Sequence, residues 1–456
     1  MKKKYWFPIC FIIILGVFIA LFFQYYRANF VKKSDFINRE LPGFYDINFD
    51  SVFSKEENNV SPETKEIVQN YYRYFWEGNN LSGSFIIAKG NTIIFEGYRG
   101  LANKDRNIPI TSNMPIHLAS ISKNLTAMAV LKLVEAGKLK LTSKVSSILP
   151  KFPYKDIKIF DLLTHRSGMG DYGAYAETEG WFDRKYYLTN AAMLEMFAKF
   201  KPKPFNPPNT AFDYCNTNYA FLALVIEKIT KKPFPQAMKM IVFDPIGMKN
   251  TFVFQKKDIN KVSLSYFNNG KIVPWDFRDL VYGDKNIYST PCDMLKYSQA
   301  MFSKKFLRKS LLDSAFAGYS NERKGNKNYG FGFRMFHFDN GKKITFHNGW
   351  WHGNQTVFVH LRDEKVTIIA LGNQKARAIY SAYSLSSIFG DYPFEIEDRD
   401  SLNVKVADTL SIKMYDLITK AKKKSDSLKN IKYHNENRKT KSKDTLKLMK
   451  ISNDTL

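Results

Sequence analysis

The sequence predicts an α+β fold (α/β/α): an antiparallel sheet built from N- and C-terminal strands, flanked by helices, with a helical insertion domain. The alternation of apolar and polar residues that is typical of half-buried strands occurs at 83–98 and again at 329–371. The stretch from about 142 to 316 has helix-like periodicity and many loops. Because strands from both ends of a domain can pair in one sheet, we predict that the helical middle is an insertion.

Capping and turn residues indicate the first helix and the first hairpin. Ser61 stands before a proline and a glutamate, a pattern that predicts a helix start, and the helix should run over 63–76. Two strands follow at 83–89 and 92–98. The Gly90-Asn91 pair between them suits a two-residue hairpin turn.

The rest of the domain follows the same two periodicities. An amphipathic stretch that contains Ser120 predicts a helix from about 117 to Gly137, and a tight turn at Gly341 joins two later strands. The other predicted elements are a short helix at 161–168, a helix at 218–230, strands at 329–338, 343–347, 355–361 and 365–371, and a final helix at 376–388.

Composition limits the classes of function. The chain has 456 residues, of which 44% are hydrophobic, so it can bury a sizeable core. Its formal net charge of +26 suggests an anionic partner. We expect no nucleic-acid partner, because the sequence has no zinc-finger spacing, RNA-binding signature or basic helix with base-reading residues. The three cysteines and the histidines have no ligand spacing, so we predict neither a metal site nor a cofactor.

Residues 1–27 are predicted to form a transmembrane anchor or a signal peptide. Three lysines precede an almost unbroken apolar run from Tyr5 to Phe23, which is about the length that a membrane-spanning helix needs. Bulky residues occupy the place where a cleavage site requires small ones. This favours an uncleaved anchor over a cleaved signal peptide.

The remaining chain divides by composition into three parts. Residues 28–60 are predicted to be a linker, 61–395 the folded domain, and 396–456 a basic helical or disordered tail. The tail is rich in lysine, serine and asparagine and has few aromatic residues, a composition that is typical of disordered segments. Two interpretations of the tail stay open: a solvated segment, or one that docks on an anionic surface.

The first chemical motif is the Ser-x-x-Lys stretch at the head of a predicted helix. Ser120 and Lys123 are three residues apart, so their side chains share a face of the helix. A serine hydroxyl is a poor nucleophile until a base takes its proton, and a neutral lysine amine can do so. Taken alone, the pattern is far more often an ordinary helix start, so the prediction depends on two further motifs.

The second motif contains Tyr214 and Asn216 and lies directly before the predicted 218–230 helix. A phenol beside a lysine can pass a proton to a leaving group. The amide of Asn216 can hydrogen-bond both Lys123 and a substrate amide.

The third motif is His347-Asn348-Gly349, on a predicted strand. We expect the ring of His347 to face the cleft and polarise the serine and tyrosine, and Gly349 to let the backbone approach a substrate closely. The backbone N–H groups of Ser120 and Trp350 are the predicted oxyanion hole.

With three such motifs in this order, the chain resembles the serine β-lactamase and penicillin-binding protein superfamily, on its class C-like, D-alanyl-D-alanine carboxypeptidase and esterase side. The similarity covers about residues 65–390. It implies an acyl-serine mechanism in which Ser120 attacks a carbonyl carbon with Lys123 as base, while Tyr214 passes a proton to the leaving group. His165 lies in the stretch 162–168, which also resembles the family, and we interpret this histidine as structural.

One departure from the family pattern narrows the range of expected substrates. His347 stands where many β-lactamases have a lysine, and a mostly neutral imidazole suits a substrate carboxylate less well than an ammonium group does. This argues against efficient β-lactam hydrolysis. Trp350 and Trp351 should make the cleft wall bulky and aromatic.

We therefore predict a serine hydrolase that works through an acyl-serine intermediate on a small ester, amide or D-amino-acid peptide. The N-terminal helix would anchor it in a membrane, with the catalytic domain on the periplasmic or extracytoplasmic side. The alternative is a non-catalytic binding or sensor protein of the cell envelope, because a fold does not by itself determine a function.

Overall fold

A computed structural model describes residues 52–303, 305–322 and 325–394. The predicted anchor at 1–27, most of the 28–60 linker and the 396–456 tail lie outside these described residues. Within the described ranges, every helix is too short or too polar to cross a membrane.

The strands of the described region fall into one large and two small sheets. Their bounds are β1 (Gly83–Lys89), β2 (Thr92–Arg99), β3 (Leu101–Asn103), β4 (Ile108–Pro109), β5 (Ile116–His117), β6 (Phe252–Val253), β7 (Ile287–Ser289), β8 (Lys327–Tyr329), β9 (Arg334–His337), β10 (Lys343–Trp351), β11 (Asn354–Leu361) and β12 (Val366–Gly372).

The α-helices are α1 (Pro62–Tyr71), α2 (Ser122–Glu135), α3 (Val145–Ile148), α4 (Ile159–Leu163), α5 (Tyr172–Ala176), α6 (Asn190–Phe200), α7 (Asn216–Thr230), α8 (Phe234–Met238), α9 (Pro291–Phe302) and α10 (Lys309–Ala315). Turns of π-helix extend two of them, at Tyr72–Glu77 and Lys239–Phe243. Shorter 3₁₀ segments lie at Ala119–Ile121, Asp244–Ile246 and Lys256–Asp258, and a longer one at Arg377–Ile388.

The seven-stranded sheet has the order β2-β1-β12-β11-β10-β9-β8, with every neighbouring pair antiparallel. Strand β1 pairs with β12 along its whole length, from Gly83 opposite Gly372 to Lys89 opposite Val366. The N-terminal hairpin is therefore joined to the C-terminal strands, and the helical middle is inserted between them. The predicted α+β class is confirmed.

Helices cover both faces of this sheet. On one face the ring of Tyr71, from α1, lies 5.9 Å from Phe85 of β1. On the other face Tyr297, from α9, lies 5.8 Å from Phe358 of β11. Strands β11 and β12 are buried throughout as a result. Their central residues, 357–359 and 368–371, are continuously apolar, as is usual for strands covered on both faces.

The structure differs from the prediction at the strands that carry the third motif. The predicted strand 329–338 is divided by a turn in which the N–H of Gly330 donates to Phe333 and Gly332 has a φ of +82°. Strand β10 continues to Trp351 because it pairs with β11 as far as Asn354. The final helix is 3₁₀ rather than α. The two- and three-stranded small sheets were not predicted, because they pair through very few residues.

Candidate active site

Ser120 lies in the 3₁₀ turn that leads into α2 and packs against strands β10 and β11 of the large sheet, and its side chain is partly exposed. The residue before it, Ala119, has a φ of +50°, which is unusual for a residue with a Cβ. The N–H of Ala119 donates to Nδ1 of His117 (2.9 Å), whose Nε2 donates to Oδ1 of Asn286 (3.1 Å). His117 and Asn286, neither of which the sequence singled out, therefore hold the turn that presents Ser120.

Lys123 is one turn further along α2 and is fully buried. Its Nζ donates to Oγ of Ser120 (3.1 Å), to Oδ1 of Asn216 (2.9 Å) and to the main-chain carbonyl of Asp284 (2.9 Å). An ammonium group has three N–H donors, so this environment supplies an acceptor for each of them. The structure thus brings together the first two predicted motifs.

Asn216 is held from two sides. Its Oδ1 accepts from Lys123, and its Nδ2 donates to Oδ2 of Asp171 (3.1 Å). Asp171 also caps α5 by accepting from the N–H of Gly173 (2.8 Å). The expected contact with Lys123 is present, while Asp171 is an orienting partner that the sequence did not reveal.

The phenol of Tyr214 lies against two cations. Nζ of Lys123 is 5.1 Å from the centre of its ring, and the guanidinium of Arg334 is 4.6 Å from it. Burial raises the pKa of Tyr214, but the charges of Lys123 and Arg334 and hydrogen bonds with Lys123 and Ser120 outweigh it, so the net shift of the pKa is downward. A phenol in this position is a stronger candidate for a general base than an ordinary tyrosine.

Arg334 was not identified from the sequence. It belongs to β9, which pairs with β10 through Arg334 and Phe346, and it is partly exposed. Among the described residues, the arginines that form ion pairs with carboxylates are Arg166, Arg278 and Arg362. No local signal distinguishes Arg334, because its position beside Tyr214 depends on the pairing of strands.

His347 occupies a different position from the one expected. Its side chain is fully buried beneath the cleft, where Nδ1 lies 2.8 Å from the carbonyl of Asn348 and Nε2 lies 3.3 Å from the hydroxyl of Tyr329. Burial first, and then the charges of Arg334 and Lys123, hold the pKa of His347 well below its usual value. The expected cleft-facing ring is thus a neutral, internal imidazole, because the rings of Tyr329 and Tyr214 pack over it at centroid distances of 6.0 and 6.2 Å.

Gly349 does not face open space; it allows β10 to pack closely against the turn that carries Ser120. A Cβ at Gly349 would lie 2.4 Å from the carbonyl of Leu118, 2.0 Å from Oγ1 of Thr356 and 3.0 Å from Cβ of Ala119. Thr356 also donates to the carbonyl of Leu118 (2.9 Å). Glycine therefore brings the backbone at Trp350 against the turn that carries Ser120, which is the arrangement that the predicted oxyanion hole requires.

The wall of the cleft beside β10 is aromatic. Trp350 is 61% exposed, whereas Trp351 is partly buried and donates from Nε1 to Oδ1 of Asp279 (2.7 Å). A second buried lysine, Lys285, lies with Nζ 4.6 Å from the ring centre of Trp351 and 3.4 Å from Oδ2 of Asp284. The main-chain carbonyl of that aspartate is the one that accepts from Lys123.

Replacing Arg334 by glutamine should move the pH dependence of activity. Without the guanidinium, the pKa of Tyr214 rises towards its ordinary value, so less phenolate is present at neutral pH. We expect the rising limb of the pH profile of kcat/KM to move to higher pH and kcat/KM at pH 7 to fall about tenfold, part of the 10²–10⁴ that a positioned base contributes.

The matched control for this variant is Arg362→Gln. Arg362 pairs with Asp313 near the protein surface, away from Tyr214. Steady-state kinetics between pH 5 and pH 10 should show an unchanged profile for this control. An identical profile for the Arg334 variant would contradict the role assigned to the guanidinium.

A helix-covered antiparallel sheet with a serine, a lysine and a tyrosine gathered beside it defines a serine hydrolase with the fold of penicillin-binding proteins. The Beta-lactamase family model matches residues 67–382, more than half of the chain, and the chain belongs to this family. The resemblance that the three motifs indicated is confirmed.

Known penicillin-binding proteins and D-aminopeptidases are similar to the chain. Penicillin-binding protein 4* of Bacillus subtilis (strain 168) is 27% identical over 365 residues, which are 75% of this chain and 79% of the relative. A D-aminopeptidase of Brucella anthropi is 25% identical over 309 residues, 67% of this chain and 58% of the relative.

Solved structures show the same fold. A penicillin binding protein from Bacillus halodurans matches with a TM-score of 0.62 and 25% identity, over 70% of this chain and 99% of that protein. EstCE1, a hydrolase with promiscuous acyltransferase activity, matches with a TM-score of 0.60 and 19% identity, over 72% of this chain and 99% of that protein.

Proposed function

We propose that this chain is a serine hydrolase that forms an acyl-enzyme on Ser120 and acts on a small ester, amide or D-amino-acid peptide. The observation that carries the proposal is the single cluster formed by Ser120, Lys123, Tyr214 and Asn216, in which Lys123 Nζ lies 3.1 Å from the serine oxygen and 2.9 Å from the amide oxygen. Relatives named as penicillin-binding proteins and D-aminopeptidases support this class of reaction.

The electrostatics favour Tyr214, rather than Lys123, as the proton acceptor. Lys123 donates to three acceptors, whereas Tyr214 has a pKa that neighbouring cations lower. In the proposed first step the phenolate takes the proton of Ser120 while Oγ forms a bond to the substrate carbonyl carbon. The positive charge of Lys123 would stabilise both the phenolate and the attacking oxygen.

The second half of the cycle uses the same groups in reverse. The N–H groups of Ser120 and Trp350 would hold the negative oxygen of the tetrahedral intermediate, a contribution of about 3 kcal/mol for each donor. When the intermediate collapses, the leaving group takes the proton from Tyr214. A water molecule then attacks the acyl carbon and gives a proton to Tyr214. When this second tetrahedral intermediate collapses, the bond between the carbon and Oγ breaks and Tyr214 returns the proton to Ser120.

Arg334 favours substrates that carry a carboxylate close to the bond that is cleaved. Its guanidinium is partly exposed beside Tyr214, and a guanidinium binds carboxylates with two parallel hydrogen bonds. The buried, neutral His347 offers no such charge to the cleft. Among the predicted substrates, peptides that end in a free D-amino acid fit this arrangement best.

A comparison of paired substrates tests this substrate class. The full chain should hydrolyse a peptide with a free C-terminal D-alanine at least about tenfold faster than the same peptide with a C-terminal amide, because a charge-assisted hydrogen bond contributes roughly 1.5–3 kcal/mol. The Arg334→Gln variant should lose this preference, and Ser120→Ala should show no turnover of either peptide. Equal rates for the two peptides in the wild type would exclude the carboxylate requirement. p-Nitrophenyl esters and nitrocefin should be assayed in the same way, to compare ester and β-lactam substrates with the peptides.

We also propose that the catalytic domain is extracytoplasmic and anchored by residues 1–27. The support is the apolar run after three lysines, together with the penicillin-binding relatives.

A further inference from the structure

A directed series of hydrogen bonds begins at the loop that carries Tyr214. The N–H of Cys215 and Nδ2 of Asn218 both donate to Nδ1 of His165, each over 3.1 Å. Because Nδ1 accepts two hydrogen bonds, the proton of this neutral ring must be on Nε2. Nε2 then donates to the hydroxyl of Tyr329, which is 3.1 Å away.

The series ends on strand β10. Nδ1 of His347 lies 2.8 Å from the carbonyl of Asn348, which can only accept, so the proton of this ring is on Nδ1. The unprotonated Nε2 is an acceptor 3.3 Å from the hydroxyl of Tyr329, which also hydrogen-bonds Tyr219. His165, Tyr329 and His347 are all fully or almost fully buried. Burial lowers the pKa of both imidazoles well below the usual value, which agrees with two neutral rings.

The backbone at His165 lies in the left-handed region. His165 follows α4 with a φ of +55°, and the N–H of Arg166 donates to Asp161 (2.7 Å) while the N–H of His165 donates to Leu162 (3.3 Å). This is a Schellman helix end, in which glycine usually occupies the left-handed position. A histidine is strained there, and such strain persists where the side chain has a specific role.

We propose that His165, Tyr329 and His347 are positioning residues that lock the Tyr214 loop to strand β10. One end of the series is the peptide group that follows Tyr214, and the other is the carbonyl of Asn348, two residues before Trp350. The series therefore sets the distance between the proton acceptor and the oxyanion donor on either side of Ser120. This inference rests on the proposed function, and it explains why this chain has a buried imidazole in the third motif.

Nitrogen NMR on the full chain tests the series without any assay of activity. The sequence has seven histidines, so ¹⁵N-histidine labelling gives few signals, and the His165→Asn and His347→Asn variants assign two of them. We expect His165 as the neutral Nε2–H form and His347 as the neutral Nδ1–H form at pH 7. An Nε2–H or doubly protonated His347 would overturn the proposal.

Kinetics of Tyr329→Phe test the consequence for catalysis. Loss of the hydroxyl should lower kcat about 10- to 100-fold, as small displacements of reacting groups do, with KM changed less than about twofold. His165→Asn, which tolerates the left-handed backbone but is too short to reach Tyr329, should behave in the same way. The matched control is Tyr71→Phe, which removes a buried hydroxyl that bonds Ser381 (2.8 Å), and it should keep the wild-type kcat.

The outcomes separate this inference from the proposed function. A wild-type chain without Ser120-dependent turnover would overturn the proposed function, and with it a catalytic purpose for the series. An active wild type with an equally active Tyr329→Phe variant would overturn only the inference. If Tyr329→Phe fails to fold, the NMR assignment and the His165→Asn kinetics decide.

Discussion

Ser120→Ala should lower kcat/KM at least about 10⁴-fold and leave the fold intact, since removal of a nucleophile eliminates the covalent path. Ser120 is partly exposed, and its hydroxyl accepts one of the three hydrogen bonds of Lys123. In the variant Lys123 still donates to Asn216 and to the carbonyl of Asp284. We therefore expect the free energy of unfolding to change by less than about 1 kcal/mol.

Covalent labelling with a fluorophosphonate, followed by peptide mass spectrometry, identifies the nucleophile and so tests the role of Ser120 directly. The matched control is Ser122→Ala, two residues away, whose buried hydroxyl accepts from the N–H of Ile287 (3.2 Å). This control should lose about 1 kcal/mol of stability but keep its label on Ser120. Normal turnover by Ser120→Ala would exclude the proposed mechanism. A wild type that binds substrates but is never labelled would favour the non-catalytic binding or sensor protein.

Lys123→Met should have the second largest effect, with kcat/KM about 10³-fold lower, the upper end of the range for one preorganised charge-stabilising group. Methionine is of similar length but carries no charge, so the phenolate of Tyr214 loses a stabilising cation. The variant also leaves the oxygen of Asn216 and the carbonyl of Asp284 without their donor. Each such loss costs roughly 1–3 kcal/mol of stability.

Lys132→Met separates the chemical effect from the structural one. Lys132 lies on the same helix, is buried, and bonds Glu135 (2.7 Å) and the carbonyl of Phe306 (2.6 Å). Thermal unfolding should show comparable losses of stability for the two variants. The burst of p-nitrophenol from an ester, which measures acylation, should disappear only in Lys123→Met. Equal losses of the burst would show that stability, not chemistry, explains the Lys123 variant.

The sheet and its hairpins were predictable because their signals are local. Alternating apolar residues place β1, β11 and β12 within one or two residues of their observed bounds, and Gly90 and Gly341 occupy turns with φ values of +59° and +81°. The predicted continuous strand 329–338 was wrong, because Gly330 and Gly332 interrupt the apolar run: the N–H of Gly330 donates to Phe333, and Gly332 has a φ of +82°. Local periodicity contains no information about where pairing with a neighbour ends.

The first two motifs contain Ser120, Lys123, Tyr214 and Asn216, which the structure brings together as neighbours. The sequence did not reveal Arg334, because the position of that side chain depends on the pairing of strands far from the motif in the chain. The same limit applies to three other contributors that lie on separate elements: Asp171, which orients Asn216, Asn286, which holds His117, and the main-chain carbonyl of Asp284.

By itself, the sequence determined the fold class, the order of the motifs and the spacing of serine and lysine on one helix, because these follow from periodicity and short-range spacing. Only the tertiary structure decided which way each motif faces. It turns His347 inward, where burial keeps the ring neutral, and it places Arg334 against Tyr214, where a charge lowers the pKa of a phenol. Burial and charge depend on which distant elements pack together, and that packing gathers Ser120, Lys123 and Tyr214 into one cluster.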